Sequence, residues 1–281
     1  MFKSLFIVLF LFFLQTYSFS QEKEVKITNF LKDTISINEW KQFLNNNIEL
    51  QTKWDIYPDK IINTNIAYIN KPLSNVDVFL TDYKNNIIWK TKTNYLGNAF
   101  LQVMLLKKQK EPFSITLKHD NFNKEIENIL PNEIININII DSLNFIEKYN
   151  FICLSNDLND TIKISNDSID FKTINYNNDL FSALNNSINI FNINKNELNL
   201  LLIKTPSNIK FSSKNKSLFH ELLVKYAEKG IMIVPIINNE IDEQEKFILY
   251  SLSVITNSFS IELQQKNIDL ISFLTNIIKN S

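Results

Sequence analysis

The chain has 281 residues and a formal net charge of −1, with no arginine, two glycines, two histidines and one cysteine. Phosphate-cradling loops need clustered glycines, and bidentate phosphate or guanine recognition relies on the guanidinium fork. A Cys/His zinc site needs more soft ligands than these, so nucleotide chemistry, nucleic-acid reading and zinc binding are all disfavoured.

Residues 1–20 read as a signal peptide. Lys3 supplies the positive start, Leu5 to Leu14 the apolar run, and Ser18 and Ser20 the small residues before Gln21. The run is shorter than the roughly 20 residues a membrane span needs. No cysteine follows it to carry a lipid, and no later run is long and charge-free enough to span a bilayer. The expectation is an exported chain, periplasmic or extracellular. Cleavage removes Lys3 and no acid, which leaves a near-neutral chain without an electrostatic footprint for nucleic acid or anionic lipid.

Residues 21–53 are ambiguous. Ile37 to Leu44 fits one short helix with Trp40, Phe43 and Leu44 on one side. From Lys60 the pattern alternates: Ile62, Thr64, Ile66 and Tyr68 share a face, as do Val76, Val78 and Leu80. Tyr83 to Asn86 is turn chemistry, and Ile87, Trp89, Thr91 and Thr93 alternate after it, which makes a hairpin with Trp89 in the core. A second turn ends at Gly97, where a left-handed residue is required. Strands over 99–106, 114–118, 124–129 and 134–140 complete about seven at the spacing of a β-sandwich.

The segments Lys71 to Leu80 and Thr93 to Ala99 read Pro-x-x-x-Val-x-Val-x-Leu and Thr-Asn-x-x-Gly-x-Ala. In these, the stretch 54–140 resembles the carboxypeptidase regulatory-like, or transthyretin-like, β-sandwich. That resemblance implies an envelope module for support or binding, not catalysis.

Beyond residue 141 the period switches repeatedly. Cys153 lies in an apolar run and reads as a buried small hydrophobe. Leu198 to Ile203 is a continuous apolar run, and Leu218, Phe219, Leu222, Leu223 and Tyr226 mark one face of a helix that Gly230 ends. Ile231 to Ile237 fits a strand buried on both faces. Asp242 and Glu245 form a capping-box-like start to the next helix. A strand over 259–263 and a helix over 268–278 follow. Strands 198–203 and 231–237 are expected to be central and parallel.

The block Tyr226 to Ile236 and the segment Ile255 to Leu263 resemble the von Willebrand factor type A fold. Within that resemblance, Phe151 to Ser155 and Thr161 to Ser165 look like its edge hairpin, and Asp179 to Leu184 like one of its helices. The fold class expected is therefore α+β and multidomain: residues 1–20 a signal peptide, 21–53 an N-terminal segment, 54–140 a β-sandwich, and 141–281 an incomplete doubly wound α/β domain. The order is similar to that of multidomain envelope proteins of Bacteroidetes.

Type A domains commonly hold a divalent cation in an Asp-x-Ser-x-Ser loop after the first strand, with Thr and Asp from two other loops. Here the acid after a plausible first strand is Asp141, without the spaced serines; a variant site would use Asp157 or Asp160. Few neutral oxygens do not hold Mg²⁺ against water. No metal, cofactor or catalytic residue is therefore expected. Ligands of open α/β sheets bind beyond the carboxyl ends of the strands. The loops there carry Asn177, Asn178 and Asp179, then Thr205 and Ser207, then Asn238 and Asn239. Their polarity suits hydrogen bonding to a peptide or glycan. His119 and His220 read as surface residues, and the acids Glu240, Asp242, Glu243 and Glu245 as helix-start charges.

Two functions follow. The first is a non-enzymatic exported binding or scaffold protein of the cell envelope whose partner is another envelope or extracellular protein. The second is a hydrolase of envelope glycan using Asp/Glu pairs. Carboxylate geometry separates them, because a hydrolase needs two acids about 5–9.5 Å apart in one pocket.

Overall fold

The computed structural model describes residues 26–28, 34–57, 61–103, 111–119, 122–131, 133–139, 148–155, 169–175, 179–191, 197–204, 209, 212–237 and 241–262. The expected signal segment and the helix expected over 268–278 lie outside them. The fold is mixed α and β, with its described strands in three sheets.

The largest sheet contains β1 (Lys26–Thr28), β10 (Lys148–Ser155), β11 (Ile169–Asn175), β12 (Glu197–Lys204), β13 (Ile231–Ile237) and β14 (Ser260–Glu262). Its order is β1-β14-β13-β12-β10-β11. Strands β10 to β14 are parallel to their neighbours and β1 pairs antiparallel with β14. In chain order the parallel strands run 2-1-3-4-5, which places the topological reversal between β10 and β12. Strands β12 and β13 are central and parallel, as their unbroken apolar runs require, with Leu200 to Ile203 and Ile231 to Val234 almost inaccessible.

Two expectations are corrected here. Phe151 to Ser155 does not form an edge hairpin: β10 is interior, with parallel β11 on one side and β12 on the other. The physical reason is burial on both faces, since Phe151, Ile152, Cys153 and Leu154 are all buried. Thr161 to Ser165 lies outside the described residues. The strand before Asp141 does not open the α/β sheet either: β9 (Ile134–Ile139) pairs parallel with β2 (Ile61–Tyr68). Asp141 therefore does not follow that sheet's first strand.

The other two sheets have four described strands each. One joins β2, β9, β3 (Lys71–Pro72) and β6 (Asn98–Gln102). The second has the order β5-β4-β7-β8, from β4 (Asp77–Thr81), β5 (Ile87–Lys92), β7 (Phe113–His119) and β8 (Phe122–Ile129), all antiparallel. Alternation is strict in β7 and holds in β4 up to its last residue: Val78, Leu80, Ile115 and Leu117 are buried, Asp77, Phe79, Ser114, Thr116 and Lys118 are not, and Thr81 at the end of β4 is buried as well. Trp89 is buried, as expected. Strand β6 is buried along its whole length, because it is covered on both faces. Gly97 has φ +73°, and a Cβ there would lie 2.1 Å from the Ile66 carbonyl oxygen. Only glycine closes that turn.

Five helices are described: α1 (Thr34–Asn46), α2 (Ile48–Trp54), α3 (Leu180–Ser187), α4 (Ser213–Lys229) and α5 (Glu243–Ile255). The short helix expected at 37–44 is longer, and Trp40 and Leu44 are buried with Phe43 packed beside them. Its pairing with the later helices is aromatic. Phe43 meets Tyr250 edge-on at 4.9 Å, while Trp54 meets Phe219 at 5.4 Å and Phe181 at 6.2 Å. Segment 21–53, extended by Trp54 at the end of α2, thus contributes an edge strand to the six-stranded sheet and a helical layer against α3, α4 and α5. Helix α4 ends at Gly230 with φ +66°, as read from sequence. Under it, Tyr226 donates to the Leu184 carbonyl at 2.8 Å, and burial pushes its phenol above the ordinary range.

Candidate functional site

The order of the parallel strands puts a ligand-binding crevice beyond the carboxyl ends of β10 and β12. Ser155 ends β10 and is fully buried; Lys204 ends β12 and is half-buried. The loop that follows β10 carries Asp157 and Asp160, which lie outside the described residues. So do six of the seven residues predicted to line the rim: Asn177, Asn178, Thr205, Ser207, Asn238 and Asn239.

The seventh, Asp179, is the N-cap of α3. The Ser182 backbone N–H donates to its Oδ1 at 3.1 Å and the Ser182 hydroxyl to its Oδ2 at 2.5 Å. These bonds, the hydroxyl first, hold the carboxyl below its ordinary pKa. Both oxygens are turned toward the helix start, so its role is local: it satisfies an orphan donor of α3.

The acids of the α5 start behave alike. Asp242 caps the helix, accepting from the Glu245 N–H at 2.7 Å. Glu245 is only 6% exposed and accepts from the Ile209 N–H at 3.0 Å, while Gln244 donates back to the Ile209 carbonyl at 2.6 Å. Glu240 lies outside the described residues. Among the described residues no group of three His, Cys, Asp or Glu side chains could hold a metal.

A shallow depression of about 100 Å³ opens at the amino-terminal side of the six-stranded sheet, lined by Asn150, Lys172, Ile190, Phe191 and Glu197 among others. Asn150 donates to Glu197 Oε2 at 2.8 Å and to Asn199 Oδ1 at 3.1 Å. Its volume is below the roughly 300 Å³ at which small-molecule clefts begin. It is a polar notch between strand starts, at the opposite end of the sheet from the predicted rim. Its sequence signal was the polar interruption of apolar strands at Asn150, Glu197 and Asn199.

Among the described residues, a heavily bonded polar cluster forms the junction between the α/β sheet and the two four-stranded sheets. Asn257, just after α5, is buried with φ +57°. Its Oδ1 accepts from the Phe100 N–H at 2.7 Å, and its Nδ2 donates to Thr91 Oγ1 at 2.7 Å and to the Lys92 carbonyl at 2.9 Å. Asn94 donates to the Asn257 carbonyl at 3.0 Å, and its own Oδ1 accepts from the Leu96 and Asn98 N–H groups. Tyr95 packs edge-on against Phe259 at 5.8 Å. The sequence reading missed this lock. An asparagine just past a helix end is the available signal, since it tolerates the left-handed conformation.

His220 is also corrected. It is half-buried, and its Nε2 lies 2.5 Å from the Trp54 carbonyl oxygen, so it ties α4 to the end of α2. Burial lowers its pKa, with the Trp54 bond and the Asp55 charge opposing. Lys216 pairs with Asp55 beside it. His119 ends β7 and is half-buried.

No protein-family model matches the chain, and no curated protein matches it. Among solved structures it is similar to "The Bacillus anthracis TIE protein", at 14% identity and a TM-score of 0.22, over 30% of this chain and 16% of that one. At that score the likeness carries no argument.

Proposed function

We propose that this chain is an exported, non-enzymatic binding or scaffold protein of the cell envelope, and that its partner is another envelope or extracellular protein. The observation that carries the reading is the use made of its polar side chains. Asp179 and Asp242 cap helices, Glu245 holds the Ile209 backbone, and Asn94 and Asn257 bind the two halves to each other. Side chains committed to backbone partners fix the relative placement of surfaces, which suits a scaffold. A glycan hydrolase needs two carboxylates free to face a substrate.

The finer domain reading is part of this proposal: a transthyretin-like β-sandwich that presents surfaces, beside an incomplete type A-like α/β domain without its cation site. Export follows from the signal-like start. The mature chain, incubated with an envelope fraction and recovered by affinity tag, should retain a stoichiometric protein partner and release no soluble fragments from envelope polymer. Release of reducing sugar ends would overturn the reading in favour of the hydrolase. Calorimetric titration with Mg²⁺ or Ca²⁺ should give no saturable heat in the micromolar range where cation sensors operate. Stoichiometric binding would restore a type A cation site.

A further inference from the structure

The outer face of the β5-β4-β7-β8 sheet concentrates cations around one aromatic ring. Phe79 on β4 is half-buried, with Lys90 of β5 and Thr116 of β7 directly opposite it. The Lys90 Nζ lies 5.3 Å from the Phe79 ring centroid, and the Lys118 Nζ also lies 5.3 Å from it. Neither lysine has an ion pair among the described residues. Asp77 stands directly opposite Lys92 of β5 and Lys118 of β7 and lies 3.8 Å from the Lys92 ammonium. Glu125 stands across from Thr116 on the edge strand β8 and is exposed. Two like charges thus converge on one ring, and the acid beside them, Asp77, is drawn to Lys92. The ring face is electron-rich and the ring edge positive, so the cations are held while an anion above them is favoured.

We propose that this face docks an acidic, extended segment of a protein partner, with carboxylates at alternate positions reaching Lys90 and Lys118. Both ammoniums lie over the ring, so the ring is engaged by cations rather than offered for stacking to a sugar. The ammoniums are no further apart than the sum of their two distances to the centroid. Alternate side chains of an extended strand recur about every 6.6 Å on one face, a spacing that fits within that limit. Thr116 adds a hydroxyl beside the ring.

This inference rests on the reading that the partner is a protein, and adds its surface and chemistry. The test titrates the mature chain with a synthetic (Glu-Ser)4 peptide at low and moderate salt. Binding is expected to weaken with salt, to fall at least tenfold in the double variant Lys90→Gln, Lys118→Gln, and to be absent for (Gln-Ser)4. Phe79→Leu keeps both lysines and should lower affinity less than the double variant. Thermal melting of each variant checks that the fold is kept, and if the double variant fails to melt cooperatively the single variants Lys90→Gln and Lys118→Gln are compared with Phe79→Leu, each lysine variant being expected to bind the peptide more weakly than wild type. Equal affinity for (Gln-Ser)4, equal affinity of wild type and Phe79→Leu, or tighter binding to polygalacturonate or phosphatidylglycerol vesicles overturns the inference. An envelope partner retained undiminished by the double variant overturns this surface and leaves the proposed function standing. Peptide binding as expected, without any retained envelope partner, does the reverse.

Discussion

Asn257 and Asp179 are short polar side chains at helix boundaries, and the structure uses them in opposite ways. Asn257 is buried and spends its amide on three partners from the two four-stranded sheets. Asp179 is exposed and bonds only to its own helix. The junction is therefore over-determined, with each partner distant in sequence, while the start of α3 is replaceable locally. Position relative to the core, rather than residue type, sets the cost of removing such a side chain.

The largest effect should come in the aromatic packing of α2 against α3 and α4. Trp54→Ala removes the indole that packs against both Phe181 and Phe219, and it should cost about 3–5 kcal/mol in urea unfolding. Asn257→Ala comes next. It strands the buried Phe100 N–H and places alanine at positive φ, so about 3 kcal/mol is expected. A cost below about 1 kcal/mol would show that the junction is not over-determined, and the contrast with Asp179 would collapse. Asp179→Ala should cost only about 1 kcal/mol, the ordinary loss of an N-cap, and Asp179→Asn should recover most of it. Because the Asp179 pKa is lowered in the folded state, its contribution is present above its ordinary value of 3.8 and is lost as pH falls through the lowered one.

The smallest effect is a pH dependence at the α2–α4 contact. His220 has a lowered pKa when folded, so the unfolded chain binds the proton more readily. Stability should be constant with respect to this group above its ordinary pKa of 6.5 and decline as pH falls below it. Melting temperatures of wild type and His220→Gln across that window check the claim. Parallel curves would remove His220 from the account.

The alternating β4 and β7 and the unbroken apolar runs of β12 and β13 were legible because burial on one face or two writes itself into the periodicity. So were the αL end of α4 at Gly230 and the turn at Gly97, since glycine adopts positive φ without a Cβ penalty, and the Asp242 cap, since capping is local. The sheet to which a strand belonged was not legible. Ile134–Ile139 and Phe151–Ser155 are both short apolar segments, and only their pairing partners, β2 for one and β11 and β12 for the other, separate them. Nor was the role of the polar residues. Asn257, His220 and the Lys90–Phe79–Lys118 cluster draw their meaning from residues far away in the chain. Sequence determined the local elements, because helix caps, turns and periodicity act over a few residues. Tertiary structure alone decided which strands share a sheet and which polar groups are locked or left facing outward, because those depend on contacts between segments that the chain brings together only on folding.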